Sequence, residues 1–550
     1  MRIFALLILI PLCSWAEKPP ASAIATAHPL ATEAGFTILS AGGNAFDAAV
    51  AVTAALGVVE PAGSGLGGGG FWLLHRAADG YQSMLDGREM APGAAHKDMY
   101  LDEQGQVIPG LSIDGPLAAG IPGTPAALAH LASRYGKLPL STTLAPAIRL
   151  AREGFPVDQS YRRMARFRLD ALRRSPAAAA IFLDNEQVPA TGFIVRQPAL
   201  AATLQAIADK GAAGFYQGKV AEKLIEGVRR AGGIWTLADL KNYRMVERPP
   251  IRGGYGDITI TAASPPSSGG IVLLAMLNIL DRYELERLDR VTQIHLMVEA
   301  MRRAYRDRAQ YLGDPDFTDI PVKRLVSPLY AAGLAASIRL DRATSSAALP
   351  GAMEPNGGTD TTHFSILDKD GNRVAATLSI NYPFGSGFVA PGTGVLLNDE
   401  MDDFSARPGA PNAYGLVGAE ANAIAPGKRP LSSMTPAFLD SERGVAVLGT
   451  PGGSRIITML LLATLEYAAG RPPSAWLARP RFHHQYLPDL VQFEPEALTE
   501  KEIAALQERG HTLKQLDRGY GDMQAILWDK RKKQVFAASD PRGTGLAERR

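Results

Sequence analysis

Strand patterns and helix patterns are interspersed along the whole chain, which predicts an α/β or α+β protein with sheet layers flanked by helices. Three observations carry that prediction. A helix pattern that begins after Asn44 is apolar nearly all round, so it belongs between other elements rather than on a surface. A two-residue period follows Thr361 and returns after Asp370-Gly371, the pattern of a hairpin. Leu448-Gly449-Thr450-Pro451-Gly452-Gly453-Ser454-Arg455 reads as a strand, a glycine turn and a helix start. At 550 residues the chain exceeds a typical single domain, although a large sandwich can use such a length as one intertwined unit.

The elements follow in order. Arg2, an apolar run over 3–12 and Ser14-Trp15-Ala16 match the charged, apolar and small-residue regions of a secretory leader, with cleavage expected after Ala16. The mature protein is then expected to be exported, to the periplasm or the medium. The one cysteine, Cys13, leaves with the leader, so disulfides are expected to play no part. Asn44, with Asp47 three positions on, is an N-cap signature for a helix running to about Val59 and stopped by Pro61. A glycine run over 63–70 precedes the strand Phe71-Trp72-Leu73-Leu74. Helices are expected over 124–152, 197–210, 219–231, 271–280 and 291–311, the last with its charges on one face. From 341 to 360 Ser, Pro, Asn and Gly crowd together as a loop or linker. In the hairpin Thr362, Phe364 and Ile366 alternate with His363, Ser365 and Leu367, and Val374, Ala376, Leu378 and Ile380 alternate on the return. The stretch 407–430, rich in Gly, Pro, Ala and Asn, is too long for an idle connection. There is no tandem repeat, and the longest late apolar run, 456–465, is too short to cross a bilayer.

Composition narrows the function. A formal charge of +2 gives no electrostatic case for nucleic acid or an anionic membrane as partner. No zinc-like Cys/His spacing exists, and the glycines over 65–70 lack the lysine of a phosphate-binding loop. His483-His484 point to opposite faces if they lie on a strand, which suits packing better than metal binding. Neither metal nor organic cofactor is expected.

The chemistry points to Gly357-Gly358-Thr359-Asp360-Thr361, where a pliable polar run ends in a threonine that opens a strand. A threonine at a strand start is ordinarily just a β-former. Its hydroxyl becomes a nucleophile when a base sits beside it, and a free α-amine on the same residue is such a base. Cleavage of the Asp360–Thr361 bond would create that amine. The turn Gly452-Gly453 could offer two backbone N–H groups to an oxyanion at a helix N-terminus, or simply make a tight turn.

With these residues in view, the chain resembles the γ-glutamyltransferase (γ-glutamyl transpeptidase) family of N-terminal-nucleophile hydrolases over nearly its whole mature length. The motifs are Asp86-Gly87-Arg88-Glu89-Met90-Ala91-Pro92, Thr361-Thr362-His363-Phe364-Ser365 and Leu397-Asn398-Asp399-Glu400-Met401-Asp402-Asp403-Phe404. Arg429-Pro430-Leu431-Ser432-Ser433-Met434, Pro451-Gly452-Gly453-Ser454-Arg455 and Pro480-Arg481-Phe482-His483-His484 follow in the same order.

The resemblance implies an α+β, four-layer αββα sandwich shared by two fragments of one precursor. These are a large one over 17–360 and a small one over 361–550, paired as a heterodimer after autocleavage. It implies that Thr361 attacks the γ-carbonyl of glutathione or another γ-glutamyl compound and passes the glutamyl group to water or to an amino acid or peptide. Gly452 and Gly453 would hold the oxyanion. Arg88, Ser432 and Ser433 would receive the α-carboxylate, and Asn381, Glu400 and Asp403 the α-ammonium. Ser379 stands where the family often has a second threonine, keeping the hydroxyl that steadies the nucleophile and losing a methyl. The run 408–418 would be a lid, with Tyr414 closing over the bound group. Within the superfamily a glutaryl-releasing β-lactam acylase or a poly-γ-glutamate-cleaving enzyme is the alternative. Outside enzymes the alternative is an uncut amino-acid binder.

Overall fold

The computed structural model describes residues 17–349, 361–407, 409, 412 and 415–550. The expected leader, the expected part of Asp360 in cleavage and the expected lid position of Tyr414 fall outside them.

Two sheets lie at the centre. The first has seven strands in the spatial order Leu546–Arg549, Ala23–Thr26, Thr362–Leu367, Arg373–Ser379, Gly69–Arg76, Tyr81–Gly87 and Val246–Arg248. The second has six, in the order Gln534–Ser539, Gln524–Asp529, Gly444–Gly449, Ala437–Ser441, Ile258–Ala262 and Ile251–Tyr255. Neighbours in both are antiparallel.

The first sheet is buried on both faces, and its alternating side chains divide between two cores. Ala25, Phe71, Leu73 and Ala375 join a core with the second sheet and the helices Gly269–Leu280, Arg290–Tyr311 and Ile456–Ala468. Ile24, Trp72, Leu74 and Val374 join the other, with helices Pro29–Ser40, Ala45–Val59 and Thr124–Arg134. Helices, sheet, sheet, helices: this is the four-layer αββα sandwich.

Local chemistry explains the elements. Asn44 Oδ1 accepts from the N–H groups of Phe46 and Asp47 at 2.9 and 3.0 Å, and the Asp47 carboxylate accepts from Asn44 N–H at 2.9 Å. The helix so capped, Ala45–Val59, buries every residue but Gly57. The expected hairpin is present, with Leu378 opposite Thr362, so Ser379 comes level with Thr361.

Two expectations are corrected. The single helix over 124–152 is two, Thr124–Arg134 and Leu140–Glu153, broken where Gly136 and Pro139 fall. The freed backbone of that break is satisfied from outside, since Asp47 accepts from Lys137 and Leu138 N–H and Tyr135 O accepts from Asn44 Nδ2. The helix Arg290–Tyr311 does not hold its charges on a solvent face, because Glu299, Arg302, Arg303, Asp307 and Arg308 are buried. They are paired with one another or with neighbouring segments, which is what allows charges inside.

The glycine run proves to be a place of close backbone approach. A Cβ on Gly67 would stand 1.9 Å from Leu396 O, and one on Gly68 2.1 Å from Ser379 O. Gly68→Ala should therefore push apart the strands that carry the Ser379 end of the hairpin, at a cost of about 1–3 kcal/mol. A urea-unfolding midpoint lowered accordingly would bear this out, and an unchanged midpoint would refute it.

Candidate active site

One edge of the sandwich gathers the residues singled out above. Residues 361, 363 and 365 share a face of their strand, and that face looks toward the second sheet. Ser365 Oγ donates to Gln524 O across the gap at 3.1 Å. The His363 ring is fully buried against Gly449, where a Cβ would come within 2.2 Å of it, and its Nδ1 meets Thr377 Oγ1 at 2.8 Å. Burial pushes that ring down to about 3, so it is a neutral spacer between the sheets. Thr361, at the end of the same face, is 6% exposed.

Opposite it stands the turn after the strand Gly444–Gly449. Gly452 and Gly453 have φ of 141° and 55°, a region that L side chains rarely adopt, and a Cβ on Gly452 would meet Met459 Cε at 2.6 Å. The helix Ile456–Ala468 follows at once, so its positive end borders the cavities that Thr361 lines.

A cavity of about 20 Å³ is lined by Thr361, Ser379, Asn381, Arg88, Glu400, Asp403, Ser432, Ser433 and Gly453, closed by Leu416, Met434 and Ile456. Nine of the residues expected from the sequence thus meet in one place. Gly452 lies just outside, on a larger cavity of about 780 Å³ that Thr361 also lines together with Glu60, Arg455 and Asp522. Thr361 stands where the two cavities adjoin.

Arg88 is the centre of the small cavity. Its guanidinium, fully buried, pairs with Glu400 and Asp403, donates to Pro430 O at 3.1 Å, and lies 3.5 Å from Glu89. Glu400 and Asp403 begin and end a single turn of 3₁₀ helix, so residues three apart in sequence face one cation. Burial pushes Glu400 up to about 7, against the pull of Arg88 and with the push of Asp403. Asp403 is raised as well, by the same burial. Asn381, at φ 71°, donates its N–H to Ser379 Oγ at 2.7 Å and its Nδ2 to Asp399 O at 3.0 Å.

The two serines are held differently from Arg88. Ser433 Oγ accepts from Arg308 Nη2 at 3.1 Å, and Ser432 Oγ accepts from Met434 N–H at 3.1 Å. Ser432 O is fixed by Ser268 N–H and Oγ at 2.8 and 2.7 Å, which packs the Ser267–Gly270 turn beside the site.

Sequence reasoning missed Arg308 and Glu89. Arg308 was hidden among the charges of its helix, yet the helical wheel puts it on the side opposite Glu299, a signal that one solvent face could not hold them all. Its burial pulls the guanidinium down to about 10, so it remains a cation at neutral pH. Glu89 stands beside Arg88 in its motif with no role expected of it. It is buried, with neither carboxylate oxygen hydrogen-bonded among the described residues, and burial raises it well above the usual carboxylate range. Of the expected lid, Asn412 donates Nδ2 to Asp403 at 2.9 Å and Leu416 walls the cavity.

The family model described as Gamma-glutamyltranspeptidase matches residues 31–549. A glutathione hydrolase proenzyme from Pseudomonas sp. (strain A14) is 42% identical over 538 residues, 95% of this chain and 93% of that protein. One from Escherichia coli (strain K12) is 40% identical over 527 residues, covering 94% and 90%. Among solved structures, the cephalosporin acylase from Bacillus halodurans superposes with a TM-score of 0.84 at 30% identity, over 99% of each chain.

The Glu400 carboxyl holds its proton to higher pH in the folded chain than in the unfolded one, where its ordinary value is 4.5. The stability it contributes is complete below about pH 4.5 and lost as pH rises through about 7. Glu400→Gln removes that loss, so its melting temperature should gain on the wild type between pH 5 and pH 8. Parallel melting curves across that range would contradict the assignment.

Proposed function

The chain belongs to the gamma-glutamyltranspeptidase family, and from that premise we propose an exported, self-processing precursor whose Thr361 cleaves γ-glutamyl amides through a γ-glutamyl ester. It is an enzyme of the hydrolase and acyltransferase kind. The observation that carries the finer reading is the convergence of Thr361, Gly453, Arg88, Glu400, Asp403, Ser432 and Ser433 on one small cavity.

Maturation comes first. Thr361 Oγ–H adds to the carbonyl of Asp360, the C–N bond breaks, and the amine that leaves is the α-amine of Thr361. Water then opens the resulting ester, giving an Asp360 carboxylate and a free Thr361 hydroxyl. Turnover repeats the chemistry on a substrate. The α-amine takes the Thr361 hydroxyl proton, Oγ attacks the γ-carbonyl, and the departing amine recovers a proton as the C–N bond breaks. The Gly452 and Gly453 N–H groups and the positive end of the helix Ile456–Ala468 offset the charge that grows on the carbonyl oxygen. An α-amine titrates at about 7.7–8.0 in model compounds, which suits a base working near neutrality. Ser379, level with Thr361 in the register, is the hydroxyl that steadies it.

The glutamyl end brings one carboxylate and one ammonium. Arg88, with Ser432 and Ser433, suits the first, because a planar guanidinium binds a carboxylate through parallel hydrogen bonds. Glu400 and Asp403, with Asn381, suit the second. A cavity of about 20 Å³ holds a single water, so the side chains that wall it, Leu416 among them, must shift to admit the group. Glutathione fits this chemistry as donor, and water, amino acids or peptides as acceptors.

The likeness to a cephalosporin acylase favours a second reading, release of a glutaryl group from a β-lactam. A glutaryl group has no ammonium, and the buried acidic pair separates the two.

The denatured intact mass of the purified protein tests maturation. Two fragments divided between Asp360 and Thr361 are expected, and a single chain in Thr361→Ala; an uncut wild type on long incubation would favour an amino-acid binder. For the substrate, Asp403→Asn should lower kcat/KM on a γ-glutamyl amide by about a hundredfold, the cost of a buried charge left unpaired, and on the glutaryl analogue by far less. Equal losses would sink the glutamyl assignment.

A further inference from the structure

The residues just before the cleavage region are held by buried and half-buried groups that the chemistry above does not use. Thr344 is gripped by Glu299, whose carboxylate accepts its N–H at 3.0 Å and its hydroxyl at 2.6 Å. Ser346, fully buried, gives its N–H to Asp489 at 2.7 Å and accepts at Oγ from Arg302 at 2.5 Å. The Tyr486 hydroxyl donates to Leu349 O at 3.0 Å. Arg302 and Asp489 are themselves paired. His484 completes the set: its Nδ1 accepts from Tyr486 N–H at 3.1 Å, so Nε2 carries the proton and donates to Asp489 at 3.1 Å.

These contacts come from two places. Glu299 and Arg302 lie on the helix Arg290–Tyr311, within the proposed large fragment. His484, Tyr486 and Asp489 form a hook after the strand Phe482–His483, within the proposed small fragment, where Tyr486 takes a φ of 72°. The run they hold has no regular structure beyond one turn, Ser346–Ala348. Burying ions is costly, and well-packed apolar side chains would hold such a run at least as firmly. What ions add is a defined register: the N–H and hydroxyl groups of Thr344 and Ser346 each meet a charged side chain fixed in place.

We propose that this hook and the Glu299–Arg302 pair anchor the chain upstream of the Asp360–Thr361 bond and position that bond for self-cleavage, without a part in turnover. The inference rests on the self-processing reading above. Downstream, Thr361 is fixed by the strand Thr362–Leu367. Upstream, Leu349 is fixed by the hook, twelve residues before Thr361. With both ends set, fewer conformations compete with the one that brings Thr361 Oγ onto the carbonyl of Asp360, and attack at an adjacent peptide depends steeply on that geometry.

The test follows the loss of full-length precursor after synthesis in a cell-free system, with wild type, Tyr486→Phe and Asp489→Asn side by side. Tyr486→Phe deletes one oxygen and keeps the ring, so it remains informative if Asp489→Asn does not fold. The expected result is a precursor half-life lengthened about five- to tenfold, while the fragments that do form show wild-type kcat and KM, and in Tyr486→Phe a wild-type melting temperature as well. Cleavage at the wild-type rate in both variants overturns the inference and leaves self-processing intact. So does slower cleavage that comes with a matching fall in kcat and melting temperature, which assigns the contacts to stability alone. A wild-type precursor that never cleaves removes the self-processing reading, and this inference with it.

Discussion

The site is organised around one buried cation. The Arg88 guanidinium has no access to water, and it is bound from three separate stretches of chain: Glu89 beside it, Glu400 and Asp403 on a 3₁₀ turn, and the carbonyls of Pro430 and Leu431. A charge in such a place must be matched, or it costs several kcal/mol. Its own backbone is gripped as firmly, since Arg88 O accepts from Tyr243 and Arg429 and its N–H reaches Asp86. Asp86 in turn pairs with Arg248 at 2.8 Å. The strand Tyr81–Gly87, the 3₁₀ turn and the Arg429–Met434 run are thereby locked to one another, and the small cavity is the space left between them.

The sandwich supplies the other half of the site through alternation. Because neighbouring residues of a strand face opposite ways, the face that carries His363 and Ser365 toward the second sheet also carries Thr361, at the point where that strand begins. The second sheet meets it with Gly449, small enough to admit the His363 ring, and then with two glycines in backbone conformations closed to other residues. The close packing that sets the spacing of the sheets and the glycine turn that lines the cavities beside Thr361 are therefore consecutive features of one segment.

Much of this was legible in the residues. The capping box at Asn44 and Asp47 needs only local chemistry, and the hairpin around Asp370-Gly371 needs only a two-residue period and a turn. Both are present as expected. The cluster of Arg88, Glu400, Asp403, Ser432, Ser433 and Gly453 was legible through family motifs, because their meeting depends on pairings across more than 300 residues that no local pattern encodes. What escaped was set by tertiary partners. The break between Arg134 and Leu140 is stable because Asp47, ninety residues away, satisfies its N–H groups. The charges of Arg290–Tyr311 are buried because they pair with one another and a segment distant in sequence completes the set, Asp489 for Arg302. A wheel that places Arg308 opposite Glu299 hints at this, but not at Ser433 as its partner.

The surplus of acid around Arg88 is best understood together with the proposed substrate. Three carboxyls stand against one guanidinium, with Arg308 as a second cation near Asp403. Burial raises Glu89 well above the ordinary range and Glu400 to about 7, which eases the excess of negative charge. A glutamyl end is a zwitterion and adds no net charge, so it can enter by exchange. On the proposed reading its carboxylate would take over Arg88 while its ammonium would take over Glu400 and Asp403, and no ion would be stranded. A ligand with only one of the two charges breaks the same pairs and restores only half of them. Selectivity on this reading arises less from any single contact than from the cost, in a cavity closed to water, of leaving either sign unmatched.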